Sequence, residues 1–317
     1  FSIREINKGR NNSLSVIKTP KHKFILKKYY QDPTSNNFRF QNEINFLYFL
    51  EKNNIQNVPK LIFKDNSKNL ALMSFIKGEQ ISKTKPQDIE EMSNFITKIN
   101  KFKNTKEARK IDIAKDSCFS ISEHIEVLNK RLIRLKSLPK ITFIHEEAKN
   151  FINTQMVPFS EKILKKLNKS YSSKFLDSHI NENEKIISPS DFGLHNLLKN
   201  KNEIYFLDFE YSGWDDPAKL ICDFRCNPEN KISKSSFKLF IDKTFKNLDY
   251  KNLYERVKIL LPIYRIIWNS IILNEFLHID SQRRKFAGFM NETTLKTQLI
   301  KAKKYFHNTE EKLHGLY

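Results

Sequence analysis

The feature that most constrains the fold of this chain is a pair of polar segments in its second half. One short loop contains both Asp191 and Asn196, and a nearby apolar segment, Tyr205-Phe206-Leu207, ends in Asp208. Phosphoryl transfer from ATP needs a carboxylate that orients the acceptor hydroxyl, with an amide oxygen and a second carboxylate that hold Mg²⁺ on the phosphates. The three side chains therefore indicate a phosphoryl-transfer site, although each of them alone is also an ordinary turn residue.

The two segments resemble the motifs of the aminoglycoside phosphotransferase and choline kinase group. That group carries His-Gly-Asp, four residues, then Asn, and later a second Asp, and the spacing from Asp191 to Asn196 and on to Asp208 matches it. The resemblance implies an α+β, protein-kinase-like fold of two lobes, with a small β-rich lobe over residues 1–76 and a larger helical lobe over 77–317. It also implies that Asp191 is the catalytic residue, that Asn196 and Asp208 bind the metal, and that the cofactors are ATP and Mg²⁺.

Two positions depart from the family pattern, because Pro189 and Ser190 replace its His and Gly. The family's His packs and hydrogen-bonds under the metal loop. Its replacement favours, as the alternative function, a pseudokinase or nucleotide-binding scaffold without phosphotransfer. A protein kinase fits less well, because the segment after Asp208 is short and lacks an Ala-Pro-Glu-like end.

A second alignment starts from the literal Asp-Phe-Gly at residues 191–193, taken as the metal motif of a protein kinase. It would require a catalytic loop just upstream. The only candidate, at residues 177–181, has the wrong spacing between Asp and Asn. The alignment with Asp191 as the catalytic residue explains three residues instead of one, and we adopt it.

The N-terminal region predicts a β-rich lobe with a phosphate-covering loop. Short strands are predicted at Ile3–Ile6, Leu14–Thr19 and Phe24–Tyr30, with turns between them. The first turn, residues 7–13, resembles the family's Gly-Asn loop, in which backbone N–H groups bond phosphate oxygens and Asn12 and Ser13 would add donors. Gly and Asn also mark any hairpin turn, so an ordinary turn is the alternative.

By resemblance, Lys27 is the lysine that contacts the ATP phosphates, held in place by a carboxylate. Glu43 is the candidate partner, because it lies in Phe38–Leu50, where apolar residues recur at helical spacing. Adjacent side chains on a strand point to opposite faces, so either Lys27 or Lys28 faces the cleft, and we favour Lys27. Alternatively, Glu43 is a solvated helix charge.

The segment Leu70–Gly78 resembles the strand and hinge between the lobes. Backbone groups from Ser74 to Ile76 would then face the adenine edge of ATP. Any buried strand would have the same pattern, so this assignment depends on its order in the chain.

The remainder predicts helices over Asp88–Lys103, Ile121–Leu135, Ile144–Leu167 and Tyr254–Phe276, the last kinked or broken at Pro262. Candidate acceptor-binding residues are Asp216, Arg265, Trp268 and Glu275, because an Arg, a Trp and carboxylates suit a polar, ring-shaped compound. The alternative is structural: Asp215 and Asp216 cap a helix, Trp268 packs in the core, and the other charges form surface pairs.

The amino-acid composition limits the classes of partner that this chain is expected to bind. The net charge of +20 disfavours a polycationic aminoglycoside and favours a neutral or anionic sugar-like acceptor carrying a hydroxyl. The lysines are dispersed and no aromatic-basic motif is visible, so nucleic acid is not an expected partner. No apolar run approaches the ~20 residues of a membrane helix, so no membrane span is expected.

The first 20 residues lack the apolar core of a signal peptide. Cys118, Cys222 and Cys226 are predicted to be buried free thiols, with Cys222 and Cys226 on one helix face, and a reducing cytoplasm is the expected location. The oligomeric state is left open.

Overall fold

The computed structural model describes residues 1–6, 11–31, 38–246, 250, 252–288 and 292–314, and its N-terminal part is a five-stranded antiparallel sheet. The strands are β1 (Ser2–Ile6), β2 (Ser13–Lys18), β3 (Lys23–Lys28), β4 (Leu61–Asp65) and β5 (Leu70–Ser74), in the order β1-β2-β3-β5-β4. The three strands predicted in the first 30 residues are therefore present, each within two residues of its predicted bounds.

Helix α1 (Phe38–Lys52) lies between β3 and β4 in the chain and is buried on more than one face. Its buried residues include Phe40, Ile44, Leu47 and Leu50, as its apolar spacing predicted, but also the charged Glu43. A second polar residue of the same helix, Asn42, donates from Nδ2 to the main-chain oxygen of Ser212 at 2.8 Å. Helix α1 therefore connects the N-terminal part of the protein with the second half of the chain.

The rest of the chain is mostly helical. Its helices are α2 (Pro86–Asn100), α3 (Ile121–Lys136), α4 (Phe143–Phe151), α5 (Val157–Ser170), α6 (Ser173–Asp177), α7 (Pro217–Cys226), α8 (Lys234–Phe245), α9 (Leu253–Ile272), α10 (His278–Phe286) and α11 (Glu292–His314). This part also contains two small antiparallel sheets: β6 (Glu79–Gln80), β8 (Leu197–Asn200) and β9 (Glu203–Phe206) form one, and β7 (Ile186–Ser188) and β10 (Gly213–Asp215) the other. The domain boundary predicted after Ile76 falls between β5 and β6 and stays a prediction.

The helix predicted over Ile144–Leu167 is present but contains a π-helical turn at Ile152–Met156, between α4 and α5. Pro158 follows this turn and has no N–H to donate to the carbonyl four residues earlier. The wider turn relieves the clash of its ring with that carbonyl, so the helix continues after a local change of pitch.

The break or kink predicted at Pro262 is not a break, because α9 runs as one α-helix through Pro262, and a 3₁₀ turn, Leu273–Phe276, extends it. Most α9 side chains are buried against α3, α7 and α11, and this packing compensates the lost backbone hydrogen bond. By length and composition alone, Leu253–Phe276 is the one helix of the described residues that could cross a membrane, and 72% of that apolar window is buried inside the protein.

The contact between α7 and α9 includes two of the three cysteines. All three are free and buried, as predicted. The thiols of Cys222 and Cys226 lie on one face of α7, each 3.8 Å from a main-chain oxygen of α9, those of Val257 and Leu261. The spacing of four residues therefore correctly predicted that the two cysteines lie on the same face of the helix.

Candidate phosphoryl-transfer site

The loop that joins β7 to β8 holds Asp191, and its carboxylate is partly engaged. Asp191 Oδ2 lies 3.2 Å from Nε2 of His195. The other oxygen, Oδ1, is buried and has no hydrogen-bond partner among the residues that the structure describes. Burial alone would lower the pKa of the His195 ring, but the neighbouring Asp191 carboxylate raises it above its ordinary value. The Asp191 side chain as a whole is nevertheless 27% exposed, so its carboxylate group can be approached from solvent.

The same loop orients Asn196 through its amide nitrogen. Asn196 Nδ2 donates to the main-chain oxygen of Asp191 at 2.9 Å, which ties the two ends of the loop together. An amide that donates through its nitrogen presents its oxygen on the other side, and amide and carboxylate oxygens are the ligands that Mg²⁺ prefers. Asn196 is thus oriented to offer Oδ1 to a metal.

Asp208 follows β9 in a left-handed conformation, with φ of 63°. The neighbouring Leu207 donates its N–H to the main-chain oxygen of Asn196 at 2.9 Å. The segments that contain the two predicted metal ligands, Asn196 and Asp208, are therefore hydrogen-bonded to each other. The Asp208 side chain is 38% exposed and one of its oxygens is bonded to Lys27. One carboxylate and one amide oxygen suit Mg²⁺, which usually completes its shell with phosphates and water.

Lys27 lies on β3 between two carboxylates. Its Nζ is 2.5 Å from Glu43 Oε2 and 2.6 Å from Asp208 Oδ1. Burial lowers the pKa of an ammonium, yet Asp208 and Glu43 together hold the pKa of Lys27 well above its usual value, so it stays charged. The adjacent Lys28 is exposed, so the predicted strand alternation and the predicted contact of Lys27 with Glu43 are both confirmed.

Glu43 is held by more than the lysine. Tyr29, two residues after Lys27 on the same face of the chain, donates its hydroxyl to Glu43 Oε2 at 2.8 Å. The main-chain N–H of Phe209 donates to Glu43 Oε1 at 3.3 Å. The carboxylate therefore joins β3, α1 and the segment after Asp208, and it is not the solvated helix charge considered from the sequence.

The predicted phosphate loop makes different contacts from those expected of it. Both Asn11 and Asn12 donate their side-chain amides to Glu210, Asn12 to Oε2 at 2.6 Å and Asn11 to Oε1 at 2.7 Å. Asn12 is buried, and its Oδ1 accepts from the N–H of Tyr30 at 3.3 Å. The amide of Asn12 is thus occupied within the protein, which corrects the expectation that it donates to phosphate.

The rest of this loop gives less information. Ser13 lies at the start of β2, and its hydroxyl is 3.5 Å from Oε1 of Glu5, on the outside of the sheet. The turn residues 7–10, which include Gly9, lie outside the described residues. A contact of the loop backbone with phosphate stays a prediction.

The hydrogen bonds of Ser74 limit which groups of the predicted hinge segment could contact adenine. The N–H of Ser74 donates to the Lys60 main-chain oxygen, and the Ser74 hydroxyl accepts from the Lys60 N–H, each at 2.9 Å. Both groups of Ser74 are therefore occupied within the protein. The contact of adenine with the backbone of residues 75–76 stays a prediction, and Ile76 is half-buried. At Gly78 a Cβ would lie 3.0 Å from the main-chain oxygen of Lys199, so glycine permits the close approach of the hinge to β8.

The four candidate acceptor-binding residues contact different parts of the protein. Asp216 is fully buried: it caps α7 through Ala218 N at 2.7 Å, and its other oxygen bonds Arg256 Nε at 2.6 Å and His124 Nε2 at 3.1 Å. An acceptor cannot reach it in this conformation, so its role is the structural alternative, not acceptor binding.

The other three candidates are also engaged or enclosed. Trp268 donates its indole N–H to Asp223 Oδ1 at 2.8 Å. Arg265 is buried in the helical core, where its charge acts on Cys226. Glu275 is buried, with Oε1 3.4 Å from Arg284 Nε. The structure therefore does not assemble these residues into one acceptor pocket.

Residues that the sequence interpretation missed complete the site. Glu210 anchors the loop of Asn11, and Arg284 of α10 donates to Asn11 Oδ1 at 2.9 Å. His195 contacts the carboxylate of Asp191. Local signals existed for two of them, since Glu210 follows Asp208 within one short motif and His195 directly precedes Asn196. No local pattern links Arg284 to Asn11, because they lie 273 positions apart.

A group of stacked aromatic rings packs against the two segments that contain Asp191 and Asp208. Phe95 of α2 stacks on Phe206 with ring centroids 3.9 Å apart, and Phe192 and Phe209 lie within 6.3 Å of Phe95. Phe192 follows Asp191 and Phe209 follows Asp208, so the stack ties both carboxylate-bearing segments to one helix. Buried aromatic pairs contribute about 0.5–1.5 kcal/mol each beyond area burial, which favours a fixed geometry here.

Solved structures with the same fold identify its class. A spectinomycin phosphotransferase in complex with ADP and spectinomycin is similar over 96% of this chain and 93% of its own, with a TM-score of 0.63 and 11% sequence identity. A gentamicin–APH(2'')-IIa complex has a TM-score of 0.59 at 14% identity, covering 96% and 90% of the two chains. A choline kinase from Cryptosporidium parvum has a TM-score of 0.52 at 15% identity, covering 98% and 90%.

No protein-family model matches the chain, and no curated protein is similar to it in sequence. The chain nevertheless has the protein-kinase-like fold of the aminoglycoside phosphotransferases and choline kinases, in which an antiparallel sheet precedes a mostly helical part. The fold class and the resemblance that the motifs indicated are confirmed.

Proposed function

We propose that this protein is an ATP- and Mg²⁺-dependent small-molecule kinase that transfers the γ-phosphoryl group to a hydroxyl of its acceptor. One observation carries the proposal: Lys27 lies within 2.6 Å of both Glu43 and Asp208, and the segment of Asp208 is hydrogen-bonded to the loop of Asn196 and Asp191. The charges that phosphoryl transfer requires are thus brought together from distant parts of the sequence.

Each residue has a role in this proposal. Lys27, fixed by Glu43, would contact the α and β phosphates, and Asn196 Oδ1 with the second carboxylate oxygen of Asp208 would hold Mg²⁺, which neutralises phosphate charge when bound. The Asp191 carboxylate would orient the acceptor hydroxyl and take its proton as the hydroxyl oxygen bonds to the γ-phosphorus and the bond between the γ-phosphorus and the ADP oxygen breaks. His195, beside Asp191 Oδ2, fixes the rotamer of the carboxylate.

The acceptor class follows from charge. Aminoglycosides are polycations, and a chain with a net charge of +20 opposes their approach unless a local acidic pocket compensates. A neutral or anionic sugar-like compound suits the chain better, and nucleic acid is not proposed as a partner. Because the three buried thiols are free, we propose the reducing cytoplasm as the location.

A screen of acceptors tests the function. ATP consumption with Mg²⁺ is measured against neutral sugars, sugar acids, amino alcohols and aminoglycosides, with calorimetry of ATP binding in parallel. The proposal predicts ATP binding and turnover on a neutral or anionic hydroxyl compound. Mg²⁺-dependent binding without turnover on any acceptor favours the pseudokinase alternative, and the absence of binding rejects both.

A further inference from the structure

A buried lysine lies directly beneath the catalytic loop. Lys219, in the first turn of α7, is 3% exposed. Its Nζ is 3.0 Å from Ser190 Oγ, 3.0 Å from Asp215 Oδ2 and 3.1 Å from Asp223 Oδ2. The ammonium thus donates hydrogen bonds to Ser190 and Asp215 and forms an ion pair with Asp223.

The ammonium is charged and held on two sides. Burial lowers the pKa of Lys219, but Asp215 and Asp223 more than compensate and raise it above its usual value, so it donates to Ser190 rather than accepts. Asp215 is fixed in turn by the Ser117 hydroxyl at 2.8 Å, and Asp223 by the Trp268 indole at 2.8 Å. The lysine therefore presents a rigid donor to the catalytic loop.

Ser190 needs such a support. Its φ is 62°, in the left-handed region that L-residues other than Gly enter only at a cost of about 1–2 kcal/mol. Its N–H donates to Ser188 Oγ at 2.9 Å, and its own hydroxyl accepts from Lys219. These two contacts hold the residue that directly precedes Asp191, and so set the direction in which the chain enters the catalytic residue.

We propose that Lys219 is a positioning residue for phosphoryl transfer: anchored by Asp215 and Asp223, it holds Ser190 in its left-handed conformation and thereby sets the carboxylate of Asp191. The inference rests on the proposed kinase function. A hydrogen bond from α7 would then support the catalytic loop. At two positions of this loop the related pattern has His and Gly, and this chain has Pro189 and Ser190.

The test compares Ser190 with a buried serine outside the network. Ser190→Ala removes the bond between Lys219 and the catalytic loop, whereas Ser160→Ala removes a buried hydroxyl of α5 that bonds only the main-chain oxygen of Val157, at 3.1 Å. Ser190→Ala is expected to lower kcat on the order of 10-fold with KM for ATP unchanged, because a displaced Asp191 acts on the acceptor and not on the nucleotide. Ser160→Ala is expected to leave kcat within about twofold, because its hydroxyl contacts neither the catalytic loop nor the anchors of Lys219.

Lys219→Met gives a second variant, and its combination with Ser190→Ala closes a double-mutant cycle. If the lysine acts through the serine, Ser190→Ala has no further effect on kcat in the Lys219→Met protein. Additive losses, or equal effects of the two serine variants, overturn the proposal.

Hydrogen exchange of residues 186–198 in the nucleotide-free protein separates this inference from the kinase proposal, since it needs no acceptor. Ser190→Ala is expected to speed exchange in this segment and Ser160→Ala is not. Faster exchange in a protein that transfers no phosphate would reject the kinase and keep the positioning of the loop by Lys219. Unchanged exchange in Ser190→Ala overturns the positioning of the loop even where wild-type turnover is found.

Discussion

Replacing Lys27 by Met, with Lys28→Met as its matched control, is the sharpest single perturbation. Met keeps most of the length of the side chain and removes only the ammonium. Lys27 Nζ lies 2.5 Å from Glu43 and 2.6 Å from Asp208, whereas Lys28 is exposed, with its Nζ 5.8 Å from the centre of the Phe286 ring. The two substitutions change the same charge one residue apart, on opposite faces of β3.

The structure sets the size of the effects. Removing one partner of a buried ion pair costs about 3–5 kcal/mol. The pair with Asp208 is partly solvated and adds little, so we expect Lys27→Met to lower the free energy of unfolding by about 3 kcal/mol through Glu43. With a urea m-value of about 3 kcal/mol/M, the midpoint falls by about 1 M. Lys28→Met loses an exposed cation–π contact, which is worth about 0.5–1 kcal/mol at most.

Turnover should separate the two variants further. Loss of one preorganised donor to the transition state costs on the order of 10²–10³ in kcat, and Lys27 is the ammonium placed against the phosphates in this account. Urea unfolding and turnover on the acceptor identified by screening are measured for both proteins. If Lys28→Met lost turnover and Lys27→Met kept it, the phosphate-binding role would move to Lys28. Equal, small effects would refute the importance of the ion pair itself.

Two further predictions concern the carboxylates of α7 and its N-terminus. Asp216→Asn should lower the free energy of unfolding by about 3–5 kcal/mol, because Arg256 loses a buried partner, while ATP affinity measured by calorimetry stays unchanged; a selective loss of acceptor binding without loss of stability would restore Asp216 as an acceptor ligand. Burial raises the pKa of Asp215, and that of Asp223 to about 6, against the opposing charge of Lys219. A folded carboxyl with a raised pKa binds more protons than the same group in the unfolded chain, so its contribution to stability falls as pH rises from the unfolded pKa to the folded pKa. Lys219→Met removes the opposing positive charge and therefore raises both pKa values further. Its destabilisation should therefore grow between pH 5 and pH 8 in urea unfolding, and a penalty independent of pH would contradict this assignment.

The sequence predicted those parts of the site that depend on local geometry. The spacing of Asp191 and Asn196 is the spacing of one loop, and strand alternation puts Lys27 and Lys28 on opposite faces. Helical spacing placed Glu43 on α1. The choice of Lys27 over Lys28, and of Glu43 as its partner, came from the family resemblance, and the structure contains the contact between them.

The parts that were not predicted depend on tertiary contacts. Asn12 was expected to face phosphate, but its amide meets Glu210, 198 positions away in the chain. Asp216 was expected in an acceptor pocket, but Arg256 and His124 enclose it. Lys219 and Asp223 lie four residues apart on α7, a spacing that favours an ion pair. Asp215 is the last residue of β10, and only tertiary packing brings the three residues together under the loop of Asp191.

The most direct test of the kinase assignment pairs ATP calorimetry with single-turnover phosphoryl transfer in Asp191→Asn. Asp191 acts on the acceptor hydroxyl and not on the metal or the nucleotide, so the variant should bind Mg²⁺–ATP with nearly wild-type affinity. Transfer to the acceptor should fall by at least 10²-fold, the range expected when a general base is removed. Wild-type rates of transfer in Asp191→Asn, or a wild-type protein that binds no ATP with Mg²⁺ present, would contradict the account.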